Sequence, residues 1–197
     1  MDLRSNRGAK RGAARGFTLI ELAITLAVAG ILLAYGMPVF TAWIHNTKIR
    51  TSAESILNGV QLARAEAVRS NLRVQFVLGD AGGPSTWTVS SIGTGNALTQ
   101  IQQRPPEGAA GIVVGVTPGG ATMVTFDGLG RPLAQNWIDN SAPITQIDIC
   151  SSTTTVSSSE LRKLRIVIGT GGTVKMCNPA LASTDAQACP TVVASAC

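Results

Sequence analysis

Between Glu21 and Lys48 this chain has no formally charged side chain, and from Leu22 to Ile44 it is an unbroken uncharged run rich in Leu, Ile, Val and Ala. A helix needs about 20 such residues to cross a bilayer, so the run is long enough to do so. Five basic side chains precede it within residues 1–16 (Arg4, Arg7, Lys10, Arg11 and Arg15), against one acid, Asp2. Basic flanks stay on the cytoplasmic side of a membrane. The expected topology is a single pass, with the first residues in the cytoplasm and everything beyond residue 45 outside it. A helix buried in a soluble core is the competing reading, but it does not account for a basic flank followed directly by an uncharged run.

The same charge map decides how composition is read. The 197 residues carry 16 Lys and Arg against 11 Asp and Glu, and a pI of 9.4 by itself would suggest a nucleic-acid binder. From Phe17 onward the count is 11 basic against 10 acidic, so removal of the leading residues leaves a nearly neutral chain. Hydrophobic residues at 45%, charged residues at 14% and a mean hydropathy of +0.25 exclude a disordered chain, which would be charge-rich and poor in apolar side chains. The 21 Gly and 9 Pro point to many turns outside the apolar run.

An ordinary secretory signal is cut after its apolar region, at small residues. Here the expected processing point lies before it, in Arg15-Gly16-Phe17-Thr18-Leu19-Ile20-Glu21, so the apolar segment survives processing. Glu21 is then a carboxylate near the start of a membrane helix, where it is costly and needs a reason. The helix macrodipole offers only modest help. Cleavage before Phe17 would create a free α-amino group, a full positive partner, and in a helical array that amine belongs to a neighbouring subunit. The plainer alternative leaves Glu21 at the interface, in water.

The segment Gly16-Phe17-Thr18-Leu19-Ile20-Glu21-Leu22 resembles the class III leader junction of type IV pilins and type II secretion pseudopilins. The resemblance implies cleavage after Gly16 by a prepilin peptidase and N-methylation of Phe17. It also implies that Glu21, the fifth residue of the cleaved chain, guides insertion into a growing filament. The implied organisation is a leader over residues 1–16, a transmembrane and assembly helix over 17–44, the amphipathic half of the same helix over 45–72, and a β-rich extracytoplasmic domain over 73–197.

Beyond the uncharged run, Ile49, Ala53, Ile56, Val60, Ala63 and Ala67 repeat at intervals of three and four, one apolar stripe of a helix that reaches about Asn71. Arg50, Glu54, Arg64, Glu66 and Arg69 fall largely on its other faces. Pro38 removes a backbone donor and is a weak point of the helix. After Asn71 the period changes. Arg73–Leu78, Trp87–Ile92, Gly111–Val116, Thr122–Phe126, Ile144–Cys150, Leu164–Ile168 and Thr173–Cys177 read as short strands between turns. Gly169-Thr170-Gly171-Gly172 reads as a hairpin loop and Ser151–Ser159 as an exposed loop. Trp87, Phe126 and Trp137 read as core or turn anchors. The expected class is α+β, a long N-terminal helix laid across one or two antiparallel sheets.

Three pieces of this second half resemble the GspH/FimT type of minor pilin and pseudopilin: Leu62 to Asn71 leading into a strand, Phe126-Asp127-Gly128-Leu129-Gly130-Arg131, and Leu161 to Ile168 leading into Gly172 to Pro179. Their order implies a type IV pilin-like fold and a subunit that primes or caps a pilus or secretion pseudopilus. The four cysteines, at positions 150, 177, 189 and 197, admit three pairings in an oxidising compartment. Relatives of this type often carry Cys at a pair such as Cys177 and Cys189. The resemblance therefore favours Cys177–Cys189 and leaves Cys150–Cys197 to tether the terminus.

No catalytic constellation stands out. Neither a phosphate loop nor a G-x-S-x-G elbow is present, and Glu107, Asp127, Asp139 and Asp148 are scattered. Without a C-x-x-C pair, and with the single His at the membrane end, neither zinc nor a thiol nucleophile is expected. No cofactor is expected. The expected partners are the prepilin peptidase, other pilins or pseudopilins and the inner membrane, with the C-terminal domain in the periplasm and, after assembly, on a filament. The alternative is capture of double-stranded DNA, known in some FimT-type pilins that carry Gly-Arg-x-Arg near the C-terminus. The corresponding stretch here is Gly172-Thr173-Val174-Lys175, with Lys163, Arg165 and Lys175 as the candidate phosphate contacts. Strand alternation would place Lys163 and Arg165 on one face and Arg162 on the other.

Overall fold

A computed structural model describes residues 16–79, 85–105, 111–153, 157 and 159–190, apart from the side chains of residues 35 and 37–39. The chain divides into two compact units, one up to Val39 and one from Phe40 onward. A single helix, α1 (Leu19–Ser70), contributes to both and continues through Pro38. In the first unit the described apolar side chains from Phe17 to Leu33 stand exposed. Among the described residues no helix is long and apolar enough to cross a membrane.

In the second unit the apolar stripe of α1 does what its spacing dictates. Ile49, Ala53, Ile56, Val60, Ala63 and Ala67 are all 0% exposed and form the helix side of one hydrophobic core. The helix stops because Asn71 takes a left-handed conformation, φ 52°, which Asn tolerates at a helix C-terminus. The chain then turns directly into the first strand.

The strands are β1 (Arg73–Leu78), β2 (Trp87–Ile92), β3 (Leu98–Arg104), β4 (Ile112–Thr117), β5 (Met123–Phe126), β6 (Gln146–Ser151), β7 (Leu164–Ile168) and β8 (Val174–Cys177). They form two four-stranded antiparallel sheets, ordered β3-β2-β1-β5 and β4-β6-β7-β8. Val74, Phe76, Val89, Val124 and Phe126 from the first sheet meet Ile112, Ile147, Ile149, Ile166 and Ile168 from the second around the helix stripe. The expected α+β class, a long N-terminal helix packed on antiparallel sheet, is the architecture observed. The helix approaches the first sheet closely at Gly59, where a Cβ would meet the Trp87 and Phe76 rings at 2.8 and 2.9 Å. Trp87 Nε1 donates to Ser55 Oγ at 3.0 Å, which satisfies the indole in the core.

Seven strands lie where sequence pattern places them, within two residues at each end. The eighth, β3, was not expected. Its sequence, Leu-Thr-Gln-Ile-Gln-Gln-Arg, is exposed at every position but the last, so no side of it carries a burial pattern. It exists because the β2 backbone offers it a ladder, with a bulge between Val89 and Ser90. The expected Gly169–Gly172 hairpin loop joins β7 to β8, closed by Gly169 N to Thr173 O and Gly172 N to Gly169 O, both 2.8 Å. Of the Ser151–Ser159 stretch, residues 154–156 and 158 lie outside the described residues.

Candidate functional site

At the N-terminal end of α1, Gly16 and Phe17 precede the first helical turn and Phe17 is 85% exposed. Thr18 and Glu21 form a reciprocal cap. Glu21 N donates to Thr18 Oγ1 at 3.3 Å, and Thr18 N donates to Glu21 Oε2 at 3.4 Å. This is the Thr-x-x-Glu capping box, which satisfies two otherwise orphaned donors of a helix N-terminus. Sequence reasoning singled out Glu21 but missed Thr18; the Thr-x-x-Glu spacing ahead of an apolar run was the available signal. Residues 1–15 of the expected leader lie outside the described residues.

The three segments that carried the second resemblance meet at the far end of α1. Asp127 folds the 126–131 turn: Oδ1 accepts from Leu129 N at 3.0 Å and Arg131 N at 2.9 Å, and Oδ2 lies 3.4 Å from Arg131 Nη2. Partial burial pushes the Asp127 carboxyl upward, but the Arg131 and Leu129 amides and the Arg131 guanidinium outweigh it and hold the group below its ordinary value. The turn seats Gly128 against Asn71 and Gly130 against Val68 and Arg64. Arg64 Nε donates to Gly130 O at 3.1 Å. The β7–β8 loop closes the junction, because Gly172 lies against the same Gly130 carbonyl.

Gly130 and Gly172 have φ of +74° and +79°, so both the backbone conformation and the space require glycine. Gly172→Ala would add a Cβ against the Gly130 carbonyl in a left-handed conformation, and is expected to lower stability by about 3 kcal/mol. Gly171→Ala next to it meets nothing within 4 Å and should stay within about 0.5 kcal/mol. Urea unfolding of the two variants checks the pair, and equal midpoints would contradict the junction.

The basic residues do not gather as strand alternation suggested. Lys175 is exposed on β8, opposite Val167, and Lys163 is half-buried just before β7. Arg165, expected beside Lys163 on an open face, is instead 1% exposed. Its Nε lies 2.6 Å from Asp148 Oδ1, and Gln146 Nε2 donates to Asp148 Oδ2 at 2.9 Å. Register explains the pair: Asp148, Arg165 and Cys177 stand directly opposite one another on β6, β7 and β8. Arg165 is thereby withdrawn from any surface that meets phosphate. The Asp in Gln-Ile-Asp-Ile-Cys was the sequence signal for this pair, a lone acid between two isoleucines of a strand.

Cys177 is joined to Cys189, as the resemblance favoured. Cys150 is disulfide-bonded, and Cys197, its expected partner, lies outside the described residues. Among the described residues no group of three or more His, Cys, Asp or Glu could hold a metal ion. The structure does bring the single His to a hydroxyl. Ser151 Oγ lies 3.2 Å from His45 Nδ1, donates to Gly111 O at 3.1 Å and accepts from Thr153 N at 3.2 Å. Ser151 is thus held on three sides and ties the end of β6 to α1. Trp137, 44% exposed, is a turn anchor: its indole donates to Asn96 Oδ1 at 2.9 Å, and the Arg73 guanidinium lies 3.6 Å from its ring centroid.

Comparison with known proteins bears on both halves. The sequence profile of the family described as type II transport protein GspH matches residues 52–172, more than half of the chain. The prokaryotic N-terminal methylation motif matches residues 11–36. The type IV major fimbrial protein FimA of Dichelobacter nodosus is 29% identical over 99 residues, which cover 50% of this chain and 57% of that relative. The chain thus matches little more than half the length of that relative. Among solved structures, the type IV minor pilin FimU of Pseudomonas aeruginosa aligns with a TM-score of 0.49 at 13% identity, over 70% of this chain and 94% of its own. The minor pseudopilin EpsH from the type II secretion system of Vibrio cholerae aligns with a TM-score of 0.49 at 14% identity, over 70% and 99%.

Proposed function

The chain belongs to the GspH family, whose profile spans more than half of it, and from that premise we propose that it is a minor pilin or pseudopilin that helps to initiate or cap a filament. A prepilin peptidase cuts after Gly16 and methylates Phe17. The uncharged run then anchors the chain in the inner membrane, with the β-rich domain in the periplasm, until it joins other pilins or pseudopilins. The observation that carries this reading is the coincidence at one helix end of a methylation motif, a glycine before an exposed Phe17, and a carboxylate four residues further on. The exposed apolar side chains from Phe17 to Leu33 support it, because they need lipid or neighbouring helices around them.

DNA capture has less support. With Arg165 spent on Asp148, the candidate set falls to Lys163 and Lys175, and non-specific DNA affinity grows with the number of phosphates neutralised. The test of the main reading is the mass of the chain recovered from native membranes. It should begin at Phe17 and be one methyl group heavier than the unmodified fragment. Gly16→Val should remain full length and unmethylated. A chain that keeps residues 1–16, or is cut after the apolar run, would overturn the proposal.

A further inference from the structure

A groove of about 550 Å³ runs between α1 and the β7–β8 edge of the second sheet. That is within the size range of small-ligand sites. Its apolar lining is Trp43, Leu164 and Met176, and two arginines, Arg50 and Arg162, stand on its walls. Asn178 and Gln187 also line it, carried on the loop that the Cys177–Cys189 disulfide closes. A groove lined by both apolar side chains and two guanidinium groups suits an amphiphile with an anionic head.

The two arginines are not equivalent. Arg50 Nε is engaged by Glu54 Oε1 at 2.7 Å and stays 69% exposed. Among the described residues the Arg162 guanidinium has no hydrogen-bond or ion-pair partner. Its backbone is fixed, because Arg162 N donates to Asn46 Oδ1 at 2.8 Å while Asn46 Nδ2 donates to Glu160 O at 2.9 Å. Asn46 thus clamps the 160–162 segment to the helix and holds Arg162 at the groove. Glu54 is the one acid in the lining; Lys48, Glu160 and Lys163 lie nearby in sequence.

Position in the chain says which amphiphile is at hand. Trp43 is the next-to-last residue of the uncharged run, and its ring stacks with Phe40 at 6.0 Å while both stay 62% exposed. Exposed aromatics at the end of an apolar run mark a membrane interface. Arg50 lies roughly 10 Å further along the helix, and helical side chains lean toward the N-terminus, here toward that interface.

We propose that this groove seats the headgroup of an anionic phospholipid from the bilayer that holds the chain, a reading that rests on the membrane-anchored state proposed above. The phosphate lies between Arg50 and Arg162, and the glycerol and first acyl carbons lie on Trp43, Leu164 and Met176. The lipid has to leave, or be replaced by a neighbouring subunit, when the chain is drawn into a filament.

The experiment uses the full chain in nanodiscs of phosphatidylcholine with and without phosphatidylglycerol, with retained lipid read by native mass spectrometry. Phosphatidylglycerol should be retained in preference to phosphatidylcholine, and the double variant Arg50→Gln/Arg162→Gln should reduce that preference roughly tenfold. Inorganic phosphate should not displace the lipid; displacement by phosphate alone would overturn the lipid as occupant. Equal retention of both lipids, or an unchanged preference in a double variant of unaltered urea midpoint, would overturn the groove as a headgroup site. A chain that never enters the nanodisc would instead overturn the membrane-anchored reading.

Discussion

Glu21→Ala is expected to be cleaved and methylated like the parent chain, yet to reach assembled filaments at roughly a hundredth of its level, the scale set by removing one partner of a charge pair shielded from water. Among the described residues, Glu21 makes only the Thr18 capping contacts, at 3.3 to 3.4 Å. Such a cap is worth about 1 kcal/mol, too little to justify a carboxylate at the head of an apolar run. A free α-amino group on Phe17 of a neighbouring subunit would be a far stronger partner in a helical bundle from which water is excluded. Glu21→Gln separates the two roles, because it keeps a capping side chain and loses the charge. Filament recovery of Glu21→Gln should be as poor as that of Glu21→Ala. Normal recovery would reduce Glu21 to a helix cap.

Arg165→Gln is expected to cost about 3–5 kcal/mol of stability, because it leaves the Asp148 carboxylate buried without its cation. Asp148 and Arg165 are 2% and 1% exposed, so water cannot substitute for either partner. Replacing both by apolar residues of similar volume, Asp148→Leu with Arg165→Met, should recover most of the loss. Lys175→Gln, on the exposed side of β8, should stay within about 0.5 kcal/mol. Urea unfolding of the full chain in detergent measures all three. An Arg165→Gln chain of unchanged stability that had lost salt-sensitive binding to DNA would restore Arg165 as a phosphate contact and contradict the buried pair.

Much of the fold was legible because burial leaves a period in the sequence. The helix stripe from Ile49 to Ala67 repeats every three or four residues, and each of its members is fully buried. The strands β1 and β7 carry apolar residues at alternate positions, β2 does so at Trp87 and Val89, and the bounds of all three follow from sequence alone. β3 escaped because it is exposed at every position but the last, so burial leaves no pattern in its sequence. Thr18 escaped because its role is a local cap, made through its spacing from Glu21 and not through any charge of its own. Arg165 was misplaced for a different reason. Alternation gives the face on which a strand residue stands, but it does not say whether that face meets water.

By itself the sequence determined the linear features of this protein: the basic first residues, the uncharged run, the methylation motif, the helix stripe and most of the strands. These depend on neighbours along the chain, and local spacing encodes them. Tertiary structure alone decided which groups lie opposite one another. Asp148 and Arg165 form a buried pair, Gly172 lies against the Gly130 carbonyl, and Arg162 is brought to Arg50 across a groove. Each of these pairs joins positions far apart in sequence. What they share is strand register and helix docking, and those are set by how whole faces pack rather than by any residue's immediate neighbours.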